Sequence, residues 1–167
     1  MLPKLIATDI DGVWTDGGMF YSESGDEWKK FNTYDSAGVT FCHLLNIPVA
    51  ILTGEASAAV ERRAKKLGID LCHIGVRDKL AQMEGICAER GLALSEVAYL
   101  GDDLNDITLI KAVGYSASPS SAPAYVQKIV SKVLPQKGGE GVFRAFVEDI
   151  LLQNGLLNDL LKRHFGI

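Results

Sequence analysis

The stretch Lys4-Leu-Ile-Ala-Thr-Asp-Ile-Asp-Gly-Val-Trp-Thr-Asp-Gly17 decides how the rest of the chain is interpreted. Residues 5–7 form a short apolar run that ends at two carboxylates, Asp9 and Asp11. An apolar run bounded by turn residues is typical of a buried parallel strand. Ligands bind beyond the carboxyl ends of such strands, which is where this run would place both aspartates.

Two carboxylates this close repel each other, and burial strengthens the repulsion. A hard divalent cation with oxygen ligands is the simplest compensating charge, although aspartate is also common in ordinary turns. A second acidic cluster, Gly101-Asp-Asp-Leu-Asn-Asp106, follows another apolar run at residues 97–100. Two acidic clusters at strand ends favour the cation site over the turn.

Two further motifs stand between the acidic clusters. Thr53 and Gly54 follow the apolar run at residues 49–52, and Lys79 begins a helical stretch. In this order the four motifs resemble those of the haloacid dehalogenase-like (HAD) phosphohydrolases, and the match covers residues 4–106. That family has Asp-x-Asp, Thr/Ser-Gly, a lysine and Gly-Asp-x-x-x-Asp, each placed after or between apolar strands.

The resemblance implies a phosphatase that works through an aspartyl-phosphate. Asp9 would be the nucleophile, and Asp11 would protonate the leaving oxygen and then deprotonate the attacking water. Thr53 and Gly54 would bind phosphoryl oxygens. Lys79 would neutralise charge on Asp9 and on the transferring group.

The same resemblance implies Mg²⁺ as the cofactor. The ion would be held by the Asp9 carboxylate, the Asp11 backbone carbonyl and the Asp102 carboxylate. Asp106 would orient the waters on the metal from behind these ligands. Asp103 is explained equally well as the N-cap of a helix.

Length and composition restrict the class of protein. A chain of 167 residues with 47% hydrophobic and 23% charged residues predicts one globular domain over residues 1–167. The net charge of −4 argues against nucleic acid as the main partner, and no apolar run predicts a membrane span. Three cysteines without Cys-x-x-Cys spacing predict buried reduced thiols and a cytoplasmic protein.

Strands alternate with helices along the chain and predict an α/β fold. We expect the Rossmann-like HAD arrangement, an open parallel sheet flanked by helices. No insertion large enough for a cap domain interrupts the alternation. Asp35 or Ser36 is expected to cap the first helix, which would run through Leu45. Further strands are predicted at 49–52, 69–74, 97–100, 114–117 and 130–134, and further helices at 57–67, 78–90, 103–113 and 142–153.

A β-hairpin is predicted within residues 18–34, as an insertion after the first strand. Pieces at 19–21 and 28–31 flank a Ser-Gly-Asp turn. The hairpin carries more apolar side chains than it could bury alone, so we expect it to pack on a partner. Packing back on its own sheet is the alternative. Without a cap, the substrate is either macromolecular or covered by a neighbouring subunit, and the apolar hairpin favours the neighbour.

Further motifs resemble one capless subgroup, the 3-deoxy-D-manno-octulosonate (KDO) 8-phosphate phosphatases and their nonulosonate relatives. The matching segments are 9–17, the hairpin, 60–63, 67–69, 75–79, 101–103 and 138–144. Members of this subgroup form tetramers. The resemblance therefore implies a homotetramer in which the hairpins assemble centrally and one subunit covers the site of the next.

Two positions depart from the octulosonate pattern. Glu55 stands where that pattern has arginine, and Lys66 stands where it has a small or neutral residue. Both resemble the nine-carbon branch, so we expect 2-keto-3-deoxy-D-glycero-D-galacto-nonulosonate (KDN) 9-phosphate as substrate. KDO 8-phosphate is the alternative and N-acetylneuraminate 9-phosphate a third. Arg63 and Lys66 would contact the sugar acid and Glu55 would accept from its hydroxyls or an amine, unless these are plain surface charges.

Two other classes of function stay open at this point. A receiver-type signalling module also combines an acidic pocket, a threonine and a lysine on an α/β sheet. Its phosphorylated aspartate lies mid-chain, however, where this chain has Ile51-Leu-Thr53. The other class is a catalytically idle assembly domain, although every catalytic motif is intact.

Overall fold

The computed structural model describes residues 2–167 and has the alternation of strands and helices that the sequence predicts. The strands are β1 (Leu5–Thr8), β2 (Phe20–Tyr21), β3 (Glu27–Trp28), β4 (Val49–Leu52), β5 (Leu71–His73), β6 (Val97–Leu100), β7 (Tyr115–Pro119) and β8 (Lys132–Leu134). The helices are α1 (Asp35–Leu44), α2 (Ala58–Leu67), α3 (Lys79–Arg90), α4 (Ile107–Ala112), α5 (Ala124–Gln127), α6 (Val142–Gln153) and α7 (Leu157–Phe165). Short 3₁₀ turns occupy Leu94–Glu96 and Leu104–Asp106.

Six parallel strands form one sheet in the order β5-β4-β1-β6-β7-β8, which confirms the predicted Rossmann-like HAD fold. The chain moves outward from β1 to β4 and β5 on one side, then returns to β6 and continues outward on the other. The strand order therefore reverses beside β1, and ligands bind at such a switch point. Within residues 2–167 there is no cap domain between these strands.

Helices cover both faces of the sheet, and the strands pack into both cores. Successive residues of β1 face opposite sides: Ile6 joins the core under α1, α2, α6 and α7, whereas Leu5 and Ala7 join the core under α3, α4 and α5. β4 and β6 alternate in the same way. These three strands are buried on both faces, which explains why they appear in the sequence as continuous apolar runs.

The ends of α2 and α3 agree with the prediction, whereas the start of α1 does not. Gly68 and Gly91 close α2 and α3 in the left-handed conformation that glycine tolerates best. Neither Asp35 nor Ser36 caps α1, whose N-cap position is taken by Tyr34 without a side-chain hydrogen bond. The Asp35 carboxylate is drawn away because it binds the first turn of α6 instead.

The hairpin is present but its strands are shorter than predicted, with Phe20 paired to Trp28. Phe20, Tyr21 and Trp28 are 54%, 68% and 67% exposed, so this chain alone does not bury them. Phe31 lies beyond the hairpin strands and packs against the main core. Phe31 therefore packs back on its own chain, as the alternative prediction had it, whereas Phe20, Tyr21 and Trp28 do not.

Across residues 2–167, no helix combines the length and hydrophobicity that a membrane span requires.

Candidate active site

Three carboxylates meet at the carboxyl edge of the sheet. Asp9 follows β1, Asp102 follows β6, and Asp106 ends the 3₁₀ turn before α4. Carboxylate oxygens from all three lie within 4.8 Å of one another. Because β1 and β6 are paired neighbours, the two acidic clusters that the sequence singles out come together here.

Lys79 lies inside this carboxylate cluster. It is the first residue of α3, and its side chain has no exposed surface. Its Nζ is 2.8 Å from Asp9 Oδ2 and 2.6 Å from Asp106 Oδ1. Burial by itself lowers the pKa of Lys79, but the two carboxylates outweigh burial and raise it. The ammonium is therefore charged and paired, as a buried cation needs to be.

Asp106 is fully buried and organises the loop that carries Asp102. Its Oδ2 accepts hydrogen bonds from the backbone N–H groups of Asp102 and Asp103, at 2.8 and 3.0 Å. Its Oδ1 accepts from Lys79 and from the Tyr99 hydroxyl at 2.5 Å. Tyr99 is a buried contributor that the sequence reasoning missed, although a tyrosine in an otherwise aliphatic strand is a signal. Asp103 accepts from the next backbone N–H, in agreement with the predicted N-cap.

The cluster carries more negative charge than Lys79 neutralises. Burial, reinforced by the charge of Asp106, raises the pKa of Asp9 to about 7, although Lys79 opposes the shift. Burial together with the charges of Asp9 and Asp106 raises the pKa of Asp102 to about 8. Both shifts identify carboxylates that lack sufficient positive charge. Hard oxygen donors with excess negative charge fit a divalent cation such as Mg²⁺.

Glycines allow the backbone to approach this cluster closely. Gly12 has a φ of 82°, which favours glycine, and a Cβ there would lie 2.0 Å from Asp102 Oδ2. A Cβ on Gly138 would lie 2.0 Å from the Gly12 carbonyl oxygen. The adjacent Gly139 N–H donates to the Val13 carbonyl at 2.8 Å. The glycine-rich loop before α6 therefore supports the backbone that carries the first acidic motif.

A cavity of about 290 Å³ opens onto the carboxylates. Thr53, predicted to bind phosphate, is buried in its wall, and its neighbour Gly54 lies beside it. Glu55 also lines the cavity and is exposed. Asn105 is a lining residue that the sequence reasoning did not single out, although it lies within the second acidic motif. The full lining comprises Asp9, Asp11, Gly12, Gly17, Thr53, Gly54, Glu55, Asp102, Asp103 and Asn105.

Asp11 lines the cavity and also contacts the hairpin. Lys29 Nζ lies 2.7 Å from Asp11 Oδ1, and the Thr15 hydroxyl lies 3.5 Å from the same oxygen. Asp11 Oδ2 is buried and has no hydrogen-bond partner within residues 2–167. Lys29 was not predicted, because two adjacent lysines in a hairpin, Lys29 and Lys30, are typical of surface charges.

Arg63 and Lys66 do not line the cavity of their own chain. Arg63 donates to the Asn32 carbonyl at 3.2 Å, and its guanidinium lies 5.9 Å from the centre of the Phe31 ring. Lys66 is exposed near the end of α2. Of the three residues expected to contact the sugar acid, Glu55 alone lines the cavity.

An acidic strand end with a buried lysine on a parallel sheet is the arrangement that the resemblance to HAD phosphohydrolases implies. Residues 62–146, half of the chain, match the haloacid dehalogenase-like hydrolase family. The protein is therefore a HAD hydrolase that cleaves phosphoric monoesters. Within that class, a KDO 8-phosphate phosphatase that is 36% identical over 91% of the chain shows that the protein belongs to the capless family containing these phosphatases.

Relatives across several bacteria support this membership. The KDO 8-phosphate phosphatase KdsC of Haemophilus influenzae is 36% identical over 152 residues, covering 91% of this chain and 84% of the relative. A crystal structure of a probable YrbI-family phosphatase from Pseudomonas syringae has a TM-score of 0.94 and 39% identity, covering 97% of this chain and 92% of that one.

Two similar solved structures contain metal ions. The KDO 8-phosphate phosphatase of Moraxella catarrhalis, in complex with magnesium, phosphate and KDO, has a TM-score of 0.93 and 34% identity, covering 96% of this chain and 92% of that one. The H. influenzae phosphatase in its cobalt-bound form has a TM-score of 0.87 and 35% identity, covering 92% and 90%. Together with the acidic cluster, these structures bear out the predicted Mg²⁺ cofactor and the phosphatase class. They weigh against the signalling and idle-domain alternatives.

Proposed function

We propose that this protein is a Mg²⁺-dependent phosphatase that hydrolyses KDO 8-phosphate through an aspartyl-phosphate on Asp9. The observation that carries the proposal is the placement of Asp9 at the switch point, with Lys79 at 2.8 Å and Asp102 within the same cluster. The similarity to the M. catarrhalis enzyme, described with KDO and phosphate, supports the substrate class.

The carboxylates of Asp9 and Asp102, with the backbone carbonyl of Asp11, are the groups that would hold Mg²⁺. When bound, the cation supplies positive charge that draws the phosphoryl oxygens toward Asp9 and offsets the repulsion between the anions. The raised pKa values of Asp9 and Asp102 in the metal-free protein are the observation that supports this role. Asp106, committed to Lys79 and to the loop, would act behind these ligands.

The reaction has two steps in this proposal. In the first step Asp9 forms a bond to phosphorus, the bond from phosphorus to the sugar oxygen breaks, and Asp11 gives that oxygen a proton. In the second step Asp11 takes a proton from water, the water oxygen bonds to phosphorus, and Asp9 is released with inorganic phosphate. Thr53 and Gly54 would bind the phosphoryl oxygens, and Lys79 would balance their charge with that of Asp9.

We propose KDO 8-phosphate as the substrate in place of KDN 9-phosphate, which was the first expectation from the sequence. The H. influenzae relative and the M. catarrhalis structure are both described as KDO 8-phosphate phosphatases. KDN 9-phosphate remains the second candidate because Glu55 lines the cavity where the octulosonate pattern has arginine. Lys66, the second residue that departs from the octulosonate pattern, is exposed and lies outside the cavity.

We further propose that a neighbouring subunit completes the site in a homotetramer. The exposed apolar residues of the hairpin support this assembly, as does the position of Arg63 beside the hairpin and away from its own cavity. In a tetramer, Arg63 and Lys66 could contact a sugar acid bound to the next subunit. A cytoplasmic location remains a prediction from the reduced cysteines.

A kinetic comparison tests the substrate. With saturating Mg²⁺, kcat/KM is measured for KDO 8-phosphate, KDN 9-phosphate and N-acetylneuraminate 9-phosphate. We expect the eight-carbon substrate to exceed the others by about 10-fold or more, since a few contacts suffice for that ratio. Higher efficiency with KDN 9-phosphate, lost selectively in Glu55→Gln, would reverse the assignment. The variant Asp9→Asn should lose turnover of every substrate by about 10⁴-fold or more.

A further inference from the structure

The hairpin places one lysine at the active site. Lys29 directly follows β3, and its Nζ lies 2.7 Å from Asp11 Oδ1, 3.5 Å from Glu27 Oε1 and 3.4 Å from Met19 Sδ. Its side chain has no exposed surface, whereas the preceding residue, Trp28, is 67% exposed. Alternation along the strand explains the difference, because successive side chains point to opposite faces. One face of the hairpin is thus exposed and apolar, and the other presents an ammonium to the first acidic motif.

The two oxygens of Asp11 have different surroundings. Oδ1 accepts the short, charge-assisted hydrogen bond from Lys29, with the Thr15 hydroxyl at a longer 3.5 Å. Oδ2 is buried without a hydrogen-bond partner in the part of the chain described, residues 2–167, and Asp11 lines the cavity. The χ2 torsion of an aspartate has a broad energy minimum and roughly two-fold symmetry. Without a restraint, the carboxyl group can therefore rotate and exchange the positions of its two oxygens. The ion pair removes this freedom.

We infer that Lys29 is a positioning residue that holds Oδ1 of Asp11 and so presents Oδ2 to the leaving oxygen of the substrate. The inference rests on the proposed role of Asp11 as general acid and base. In the first step the proton on Oδ2 passes to the sugar oxygen as its bond to phosphorus breaks. In the second step the same atom accepts a proton from the attacking water. Lys29 itself neither gains nor loses a proton.

A purely structural role explains the contact less well. Removing an ammonium from water is unfavourable unless it is paired, and the shortest of the Lys29 contacts is to Asp11, with Glu27 farther away. Ion pairing with Glu27 alone would stabilise the hairpin without directing Lys29 to the cavity. The chain also supplies a matched control, because the adjacent Lys30 carries the same charge and is exposed.

The dependence on the leaving group tests this inference. The sugar alkoxide of KDO 8-phosphate leaves only with a proton, whereas the nitrophenolate of 4-nitrophenyl phosphate leaves without one. The quantity to compare is kcat/KM, which reports steps up to formation of the aspartyl-phosphate. We expect Lys29→Met to lower kcat/KM for KDO 8-phosphate by about 100-fold and for the aryl phosphate by less than about 5-fold.

Controls separate positioning from a general loss of charge or structure. Lys29→Arg should recover activity on the sugar phosphate to within about 10-fold of the wild type, because it keeps the donor. Lys30→Met should match the wild type with both substrates. Circular dichroism and gel filtration check that each variant is folded, and Lys29→Gln replaces the methionine variant if that one does not fold.

The outcomes distinguish this inference from the function it rests on. Equal losses on both substrates, or no loss, in the Lys29 variants overturn the positioning role. Asp11→Asn should lose sugar-phosphate turnover while keeping more of its aryl-phosphate kcat/KM. Full sugar-phosphate turnover by Asp11→Asn would mean that the proposed role of Asp11 fails. If Asp11→Asn is inactive on the sugar phosphate and Lys29→Met is unimpaired, the Lys29 inference alone fails.

Discussion

Lys79 Nζ lies 2.8 Å from Asp9 Oδ2, in a position where the lysine side chain has no exposed surface. The contact joins the end of β1 to the start of α3, and Asp106 holds the lysine from the other side at 2.6 Å. This ion pair holds the carboxylate of Asp9, the proposed nucleophile, and supplies one positive charge to a cluster of three acids. The remaining excess of negative charge is the reason to expect a metal ion.

Replacing this lysine should affect both stability and catalysis. In Lys79→Met, Asp9 and Asp106 lose their buried counter-charge, so we expect the metal-free protein to lose about 3–5 kcal/mol of unfolding free energy. Turnover should fall by about 10³-fold or more, because a charge aimed at the transferring group is lost. Urea unfolding in EDTA and steady-state kinetics measure the two effects. The exposed Lys65 provides the control, since Lys65→Met should change stability by about 0.5 kcal/mol or less.

The raised pKa values predict how pH and metal act together. In the metal-free fold the pKa of Asp9 is about 7 and that of Asp102 about 8, against about 4 in an unfolded chain. The folded state thus binds protons more tightly than the unfolded state, and these groups lower its stability as pH rises from about 4 to about 8. Mg²⁺ binds the ionised carboxylates, so its stabilising effect should grow over the same range.

Thermal melts at several pH values check this expectation. The increase in Tm between EDTA and Mg²⁺ should be small at pH 5.5 and larger at pH 8. Asp102→Asn should flatten the dependence, because it removes a ligand and one of the two shifted groups. A Tm increase that stays constant across this pH range would contradict the electrostatic account of the site.

Asp35 links two helices that are far apart in sequence. It is fully buried, and its Oδ1 accepts from the backbone N–H groups of Phe143 and Arg144 at 3.1 and 3.2 Å. Asp35→Ala leaves these donors at the start of α6 unpaired and should cost about 1–3 kcal/mol. Asp35→Asn keeps an acceptor and should cost less. Urea denaturation of the three proteins at one pH gives the ranking, and an alanine variant as stable as the wild type would disprove the link.

The same residue gives a second test through its pKa. Burial raises the pKa of Asp35 to about 6, against the opposing effects of the two backbone hydrogen bonds and of Arg63. The folded state holds the proton more tightly, so ionised Asp35 reduces stability as pH rises from about 4 to 6. Asp35→Asn should therefore gain stability relative to the wild type over that interval. A difference between the two proteins that does not change with pH would contradict the shift.

The exposed face of the hairpin predicts assembly. Replacing both Phe20 and Trp28 by serine removes large apolar side chains that are 54% and 67% exposed in the single chain. We expect sedimentation to show a tetramer for the wild type and smaller species for the double variant. Leu152→Ser is the matched control, since Leu152 is 59% exposed on α6, outside the hairpin. A wild-type protein that is monomeric at micromolar concentration would refute the proposed tetramer.

Sequence reasoning located the acidic edge of the sheet because one physical rule governs where these residues lie. Asp9, Thr53 and Asp102 each follow a buried apolar run, and the carboxyl ends of parallel strands lie on the same edge. Pairing of β1 with β4 and β6 is then enough to bring these residues together. The order of motifs along the chain also fixed Lys79 as the start of the next helix.

The contacts that sequence reasoning missed depend on how distant segments fold onto one another. Lys29 reaches Asp11 only because the hairpin folds back over the first acidic motif with one particular face inward. Asp35 looks like an ordinary N-cap for its own helix, yet it caps α6. The hydroxyl of Tyr99 donates to Asp106 because β6 places this side chain on the buried side of the loop that follows the strand. In none of the three cases does a local sequence pattern identify the residue that is contacted.

The identity of the substrate could not be predicted from the sequence either. Glu55 lies before α2 and Lys66 lies in its last turn, and of the two only Glu55 lines the cavity. A charge difference in a motif shows that a site differs but does not identify the sugar that it binds. The kinetic comparison described above makes that distinction.

The most direct test of the whole account is a crystal structure of the protein grown with Mg²⁺. We expect one ion with the Asp9 and Asp102 carboxylates and the Asp11 backbone carbonyl each about 2.1 Å away, and with Lys79 still paired to Asp9. An ion bound elsewhere, with Asp9 and Asp102 directed to different places, would contradict the claim that the separated aspartates form one catalytic centre.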